Sequence, residues 1–251
     1  NITPECDLWI VSPSREEGLG NLDGMRAAFA RLETRVGSVI NVEGLAFGHV
    51  YHAGIAVRRL KISAHAPGGH SWLHFGRPSA IHALMELGAR ISALQPPQTP
   101  RTTFNIGMIE GGQSINSIAT YAALWLDLRS EDSNALAAFE KRVQAEIATA
   151  TQPEVSFSVE TVGDRPSGMI APNHPLVDRA LKALATVGVR GTLENGSTDG
   201  NIPLSKGCPT VTVGITRGGN AHRLDEYVEV SPVSAGIRQL ILLTLATASA
   251  G

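Results

Sequence analysis

The stretch Leu8-Trp9-Ile10-Val11-Ser12-Pro13-Ser14-Arg15-Glu16-Glu17-Gly18-Leu19-Gly20-Asn21-Leu22 decides how the whole chain is read. Its apolar run, Leu8 to Val11, has the length and residue types of a buried strand, and Pro13 with Ser14 closes it. The two adjacent carboxylates are therefore expected on a loop at the strand's carboxyl end. Open α/β sheets bind their ligands at that end. Taken alone, the stretch is at least as well explained by a solvated Glu-Glu pair at a helix entrance, where acids favour the positive end of the helix dipole.

Working outward, Leu22, Met25, Ala28, Phe29 and Leu32 recur at helical spacing, and Val39-Ile40-Asn41-Val42-Glu43-Gly44 reads as a second strand that ends in a carboxylate. Strand, acidic loop, helix, strand and acid make a parallel βαβ unit. The strand ends of such a unit lie side by side, so Glu16, Glu17 and Glu43 can face one crevice. From Val50 to Ala64 the chain is extended in character, and a boundary falls near Arg59. Next come a strand, the loop Pro67-Gly68-Gly69-His70-Ser71-Trp72, a helix from about Pro78 to Leu94 and a proline-rich break. Two strands follow, Thr102 to Ile109 and Ala119 to Leu128, joined by Gly111-Gly112-Gln113-Ser114-Ile115-Asn116. A helix from Ser133 to about Ala148 and a strand from Glu154 to Thr161 complete a split-βαβ order. The return from Gly163 predicts helices at Pro175 to Val187, Asn201 to Lys206 and Ser231 to Ala246, with a strand at Thr210 to Gly214. The expected fold class is α/β: a mixed sheet flanked by helices, spans 1–59 and 163–251, with an inserted α+β split-βαβ domain, 60–162.

Composition narrows the function classes. With 251 residues, 43% apolar and 18% charged, the chain can bury a sizeable core. A net charge of −2 offers no field that gathers nucleic acid or an anionic membrane surface. No apolar run approaches the ~20 residues that span a bilayer. Two distant cysteines, Cys6 and Cys208, form neither a disulfide framework nor a zinc knuckle, and a cytoplasmic location is expected.

His, Asp and Glu recur next to glycine at loop positions, the residue types zinc prefers at a catalytic site. His222, in Gly218-Gly219-Asn220-Ala221-His222, follows a strand end and is a ligand candidate or a surface histidine. Ser197-Thr198-Asp199-Gly200-Asn201 is a candidate site loop or simply a helix N-cap. Gly18 and Gly20 are followed by Gly24 one residue too late for a dinucleotide fingerprint, and neither a P-loop nor a G-x-S-x-G elbow occurs. A metal-activated water is the best-supported chemistry.

These segments together resemble the di-zinc amidohydrolases that include aminoacylase, acetylornithine deacetylase, succinyl-diaminopimelate desuccinylase and carboxypeptidase G. The resemblance rests on Glu16-Glu17-Gly18, Gly69-His70-Ser71, Gly111-Gly112 with Asn116 and Arg129, Ser197 to Asn201, and Gly219-Asn220-Ala221-His222 followed by Glu226-Tyr227. It implies Glu16 as general base, with Glu17 and His222 as ligands of one zinc and Glu43 as a ligand of the other. The inserted unit resembles the family's lid and dimerisation domain, which implies a homodimer. There His70 corresponds to a histidine that stabilises an oxyanion in a neighbouring subunit's site, and Asn116 and Arg129 to residues that hold the substrate. Asp199 and Asn201 are further substrate-binding candidates. A turn histidine, a turn asparagine and a strand-end salt bridge are the structural alternatives for the three lid residues.

The chain departs from the family in one respect. Members carry an earlier His-x-Asp motif and a zinc-bridging aspartate, yet none of the eight histidines here is followed two residues later by Asp. Two zincs per complete site are expected, and this chain alone is expected to hold them poorly. The start at Asn1, directly before the first expected strand, favours a fragment of a longer enzyme acting on a small peptide or N-acyl amino acid. The alternative is a catalytically inactive dimerisation or ligand-binding module.

Overall fold

The computed structural model describes residues 4–221 and 223–249. The chain divides into two compact units, Asn1–Ile55 with Pro166–Gly251, and Ala56–Arg165. Unit 1 opens with α1 (Asp23–Leu32), β1 (Val39–Glu43) and β2 (His49–Gly54). Unit 2 follows with β3 (Ala56–His65), β4 (Gly69–His70), α2 (Ala80–Ala93), β5 (Thr102–Gly111), β6 (Ser117–Ile118), β7 (Tyr121–Ser130), α3 (Ser133–Ala150) and β8 (Ser156–Arg165). The chain returns to unit 1 through β9 (Gly168–Met169), α4 (Pro175–Thr186), β10 (Thr192–Gly196), α5 (Asn201–Ser205), β11 (Thr210–Gly214), β12 (Gly218–Gly219), β13 (Tyr227–Val228) and α6 (Val233–Ala248).

Unit 1 is built on a mixed sheet in the order β1-β11-β2-β10. The β1–β11 and β2–β10 pairs are parallel and the β11–β2 pair antiparallel. The central strand, Thr210-Val211-Thr212-Val213-Gly214, is buried along its whole length, which its β-branched residues suit. Val211 and Val213 pack with Phe47, Val50, Leu176, Val177, Leu184 and Leu243, so the core lies between the sheet and helices α4 and α6. A second cluster, Leu22, Met25, Phe29 and Ile202, seats α1.

Unit 2 is an antiparallel sheet in the order β5-β7-β3-β8, covered by α2 and α3. Strand alternation sends Leu60, Ile62 and Ala64 of β3 and Ala122, Leu124, Leu126 and Leu128 of β7 to the helix side. There they meet Leu84, Leu87 and Ile91 of α2 and Leu136, Phe139 and Val143 of α3. Each of the larger side chains contributes roughly 1.5–3 kcal/mol by leaving water. Asp132 starts α3 by accepting the backbone N–H of Ala135 at 2.7 Å.

The α/β class and the inserted split-βαβ unit hold. One element expected from sequence does not form: Leu8 to Val11 is irregular backbone, with Trp9 52% and Ile10 fully exposed. A strand needs a partner ladder. β1 ends the sheet with β11 as its only described neighbour, and the 8–11 segment joins neither. Trp9 instead lies under the guanidinium of Arg35, 4.6 Å from the ring centroid. β10 was not expected; Thr192-Leu193-Glu194-Asn195-Gly196 is short and mostly exposed, which hides its period.

Candidate functional site

The loop carrying Glu16 and Glu17 is shaped by its glycines. The N–H of Leu22 reaches back to the carbonyl of Arg15 at 3.1 Å, and that of Gly20 to Glu17 at 2.9 Å. A Cβ on Gly20 or Gly24 would collide with the carbonyls of Arg15 and Ser14. The glycines that miss the dinucleotide spacing thus serve loop closure. Arg15, Asn21 and Leu22 adopt left-handed backbone, with φ of 64°, 57° and 61°. Strain of this kind persists only where the surroundings hold it, and Leu22 is fully buried.

This loop brings carboxylates to the end of β1. Burial is the largest cause that raises Glu43 from 4.5 to about 7, and the charges of Glu16, Asp199 and Glu17 push in the same direction. A hydrogen bond from Asn41 opposes them. Three of the residues singled out from sequence as base and ligands, with Asp199, therefore share one electrostatic neighbourhood. Adding a cation would relieve this repulsion, so the charge of the corner suits a metal. Among the described residues no group of three or more His, Cys, Asp or Glu side chains is disposed to hold one. His222 lies outside the described residues. The flanking β12 and β13 pair as a hairpin, Gly218 with Val228 and Gly219 with Tyr227.

Sequence reasoning missed Asn41. It is buried, and its Nδ2 lies 3.4 Å from Glu43 Oε1 and 3.2 Å from both Thr198 Oγ1 and Thr212 Oγ1. The available signal was a polar residue two positions before Glu43 in an apolar strand, hence on the same face. Strand register extends the polar row from Asn41 through Thr212 and Tyr51 to Glu194. The phenol of Tyr51 is pushed above its ordinary value by burial first, then by the carboxylates of Glu194 and Glu43.

Asn201, expected to bind substrate, is a fixture of the fold instead. It is fully buried; its Nδ2 donates to the carbonyls of Ile55 and Pro166, both at 2.8 Å, and its Oδ1 accepts from Thr198 N at 3.0 Å. Both of its amide hydrogens are committed to backbone and the side chain is closed off from solvent. The same bonds hold the loop that carries Thr198 and Asp199.

In unit 2, His70 and Asn116 come together. His70 pairs with Ser117 across β4 and β6, and Ser71 N donates to the carbonyl of Asn116 at 3.0 Å. Arg129 does not join them: it sits near the far end of β7, eight residues from Tyr121, or roughly 25 Å at strand rise. Its Nε donates to Asp127 Oδ2 at 2.7 Å. A separate groove of about 300 Å³ is lined by Ile81, Leu84, Ile109, Glu110, Gly111 and Ala122, beside the outer edge of β5.

A mixed sheet with carboxylates gathered at a strand end, interrupted by an antiparallel α+β unit, defines a class of two-unit α/β folds. Residues 51–155 match the family model described as the peptidase dimerisation domain. The fold is that of a tripeptidase from Staphylococcus aureus (20% identity, TM-score 0.74, covering 91% of this chain and 61% of that one). It is equally that of the aminopeptidase PepT from Bacillus cereus (18%, TM-score 0.70, 89% and 60%). An amidase of the hydantoinase/carbamoylase family from Burkholderia multivorans is also similar (17%, TM-score 0.61, 80% and 50%). This chain spans about three fifths of the length of the first two, 61% and 60%. No curated protein sequence matches. The comparisons support the metallopeptidase and amidohydrolase family that the sequence motifs resemble. No helix among the described residues is long and apolar enough to cross a membrane.

Proposed function

We propose that this chain is the greater part of a zinc-dependent hydrolase that cleaves an amide bond of a small peptide or an N-acyl amino acid. The observation that carries the reading is the convergence of Glu16, Glu17 and Asp199 on Glu43 in a chain that contains a peptidase dimerisation domain. Glu17 and Glu43, with His222, are the residues to hold metal. Bound zinc would supply Lewis acidity and bring the pKa of a water toward roughly 7. Glu16 is the general base: neighbouring residues on a loop point in different directions, so one carboxylate can hold a cation while the other takes the proton from water and returns it to the leaving amine. His70 donates to the oxygen of the tetrahedral intermediate, and Asn116 and Arg129 hold the substrate, Arg129 suiting a carboxylate.

The chain forms a homodimer through unit 2. The match to a dimerisation domain supports this, as do the outer edge of β5, which pairs with no other described strand, and its exposed Met108 and Ile109. A cytoplasmic location agrees with the free thiols of Cys6 and Cys208.

Full-length, metal-reconstituted protein assayed against N-acyl amino acids and dipeptides tests the reading. Glu16→Ala is expected to lower kcat by about 10²–10⁴-fold with metal content unchanged. Near-normal turnover in that variant would reject Glu16 as the base. No turnover on any substrate by metal-loaded wild type would favour the inactive dimerisation module.

A further inference from the structure

The turn at the start of unit 2 contains two histidines whose ring nitrogens are already assigned work by the backbone. His74 Nδ1 accepts the N–H of His70 at 2.9 Å. His70 Nδ1 in turn accepts the N–H groups of Trp72 and Leu73 at 3.2 and 3.4 Å. A neutral imidazole has one nitrogen with a lone pair and one with a proton. A ring that accepts at Nδ1 therefore carries its proton on Nε2. Gly69 makes the arrangement possible: with φ of 149° and no side chain it lets the His74 ring close over the backbone, where a Cβ would stand 2.7 Å from His74 Nδ1.

We propose that His74 is a positioning residue for His70, and that the backbone-capped turn fixes His70 as the Nε2–H tautomer, a neutral hydrogen-bond donor. In this state His70 cannot act through Nε2 as a general base or as a metal ligand, because both need a lone pair there. It recognises an oxygen that accepts a hydrogen bond, a carbonyl or the oxyanion derived from it. His70 is exposed, so the donor is open to a docking molecule. The inference rests on the reading of His70 as a group that donates to substrate, and it adds the tautomer and the neighbour, His74, that holds the turn.

The experiment is long-range ¹H–¹⁵N correlation NMR on the ¹⁵N-histidine-labelled full chain, at a pH about two units above the ordinary histidine value of roughly 6.5 so that the rings are neutral. Wild type is expected to show the Nε2–H pattern at both His70 and His74. In His74→Ala, His70 is expected to shift to a mixture of tautomers. His74→Asn, whose Oδ1 can take the place of Nδ1, is expected to restore the wild-type pattern. An Nδ1–H or mixed pattern at His70 in wild type overturns the proposal without any variant, as does an unchanged pattern in a folded His74→Ala. Because the readout does not depend on turnover, failure of the hydrolase reading leaves it standing as a statement about the turn, and a wrong tautomer leaves the hydrolase reading to its own assay.

Discussion

The open face of the unit 2 sheet and the acidic corner of unit 1 treat charge in opposite ways. On the sheet face, strand register sets each group against a complement. Lys61 lies opposite Trp125 with Nζ 4.8 Å from the ring centroid, and His65 lies opposite Tyr121 at 5.3 Å. Arg59 lies opposite Asp127 at 2.9 Å, and the same carboxylate takes Arg129 at 2.7 Å. In the corner, Glu43 feels the charges of Glu16, Asp199 and Glu17, and the neutral amide of Asn41 donates a hydrogen bond to it. Cross-strand pairs are the ordinary unit of sheet stabilisation. Like charges gathered in a half-buried place are not, and they persist where a fold is shaped for something that binds. The difference separates charge that is matched by its neighbours from charge that is left crowded.

The largest expected effect tests what holds the corner together. Asn201→Ala removes three hydrogen bonds at once and leaves the Ile55 and Pro166 carbonyls short of a donor, at a cost of about 3 kcal/mol. Urea denaturation should show a lower midpoint with an unchanged slope. An unchanged midpoint would mean that the loop with Asp199 is held by other means.

Next in size is Glu43→Gln, where the sign of the change is the point. The folded carboxyl titrates near 7 against 4.5 for the free group, so folding binds its proton more tightly. That contribution is fully present below about pH 4.5 and is lost as pH rises through about 7. At pH 8, metal-free Glu43→Gln should be more stable than wild type by on the order of 1–2 kcal/mol, discounted because the group is only partly buried. The two proteins should converge at pH 4. Equal stability at both pH values would break the contrast. The smallest effect is the counterpart on unit 2: Asp127→Asn should destabilise by less than about 1 kcal/mol, independent of pH between 6 and 8, because its guanidinium partners are partly solvated. A stabilisation there would remove the distinction between the two regions.

Much of this was legible in the chain. The helical spacing of Leu22, Met25 and Phe29 marked α1, and the apolar period of Leu84, Leu87 and Ile91 marked α2. The motif order pointed to the family that the dimerisation-domain match supports. The readings that failed or were missed concern single positions in long-range company. Leu8 to Val11 has the composition of a strand, but strand formation is a property of a pair. Asn41 gains its role only because Thr198, 157 residues away, and Thr212, 171 residues away, close around it. Asn201 was a substrate-binding candidate because nothing nearby in sequence reveals that Ile55 and Pro166 turn their carbonyls toward it.

The amino-acid sequence by itself determined the helices, the long strands of the inserted unit and the residue types available for chemistry. Those follow from periodicity and spacing within a few turns of chain. Only the tertiary structure decided which carboxylates crowd Glu43, which asparagine is buried as a fixture, and which nitrogen of His70 accepts backbone N–H groups. Burial, repulsion and hydrogen bonding of these kinds depend on groups brought together across the chain.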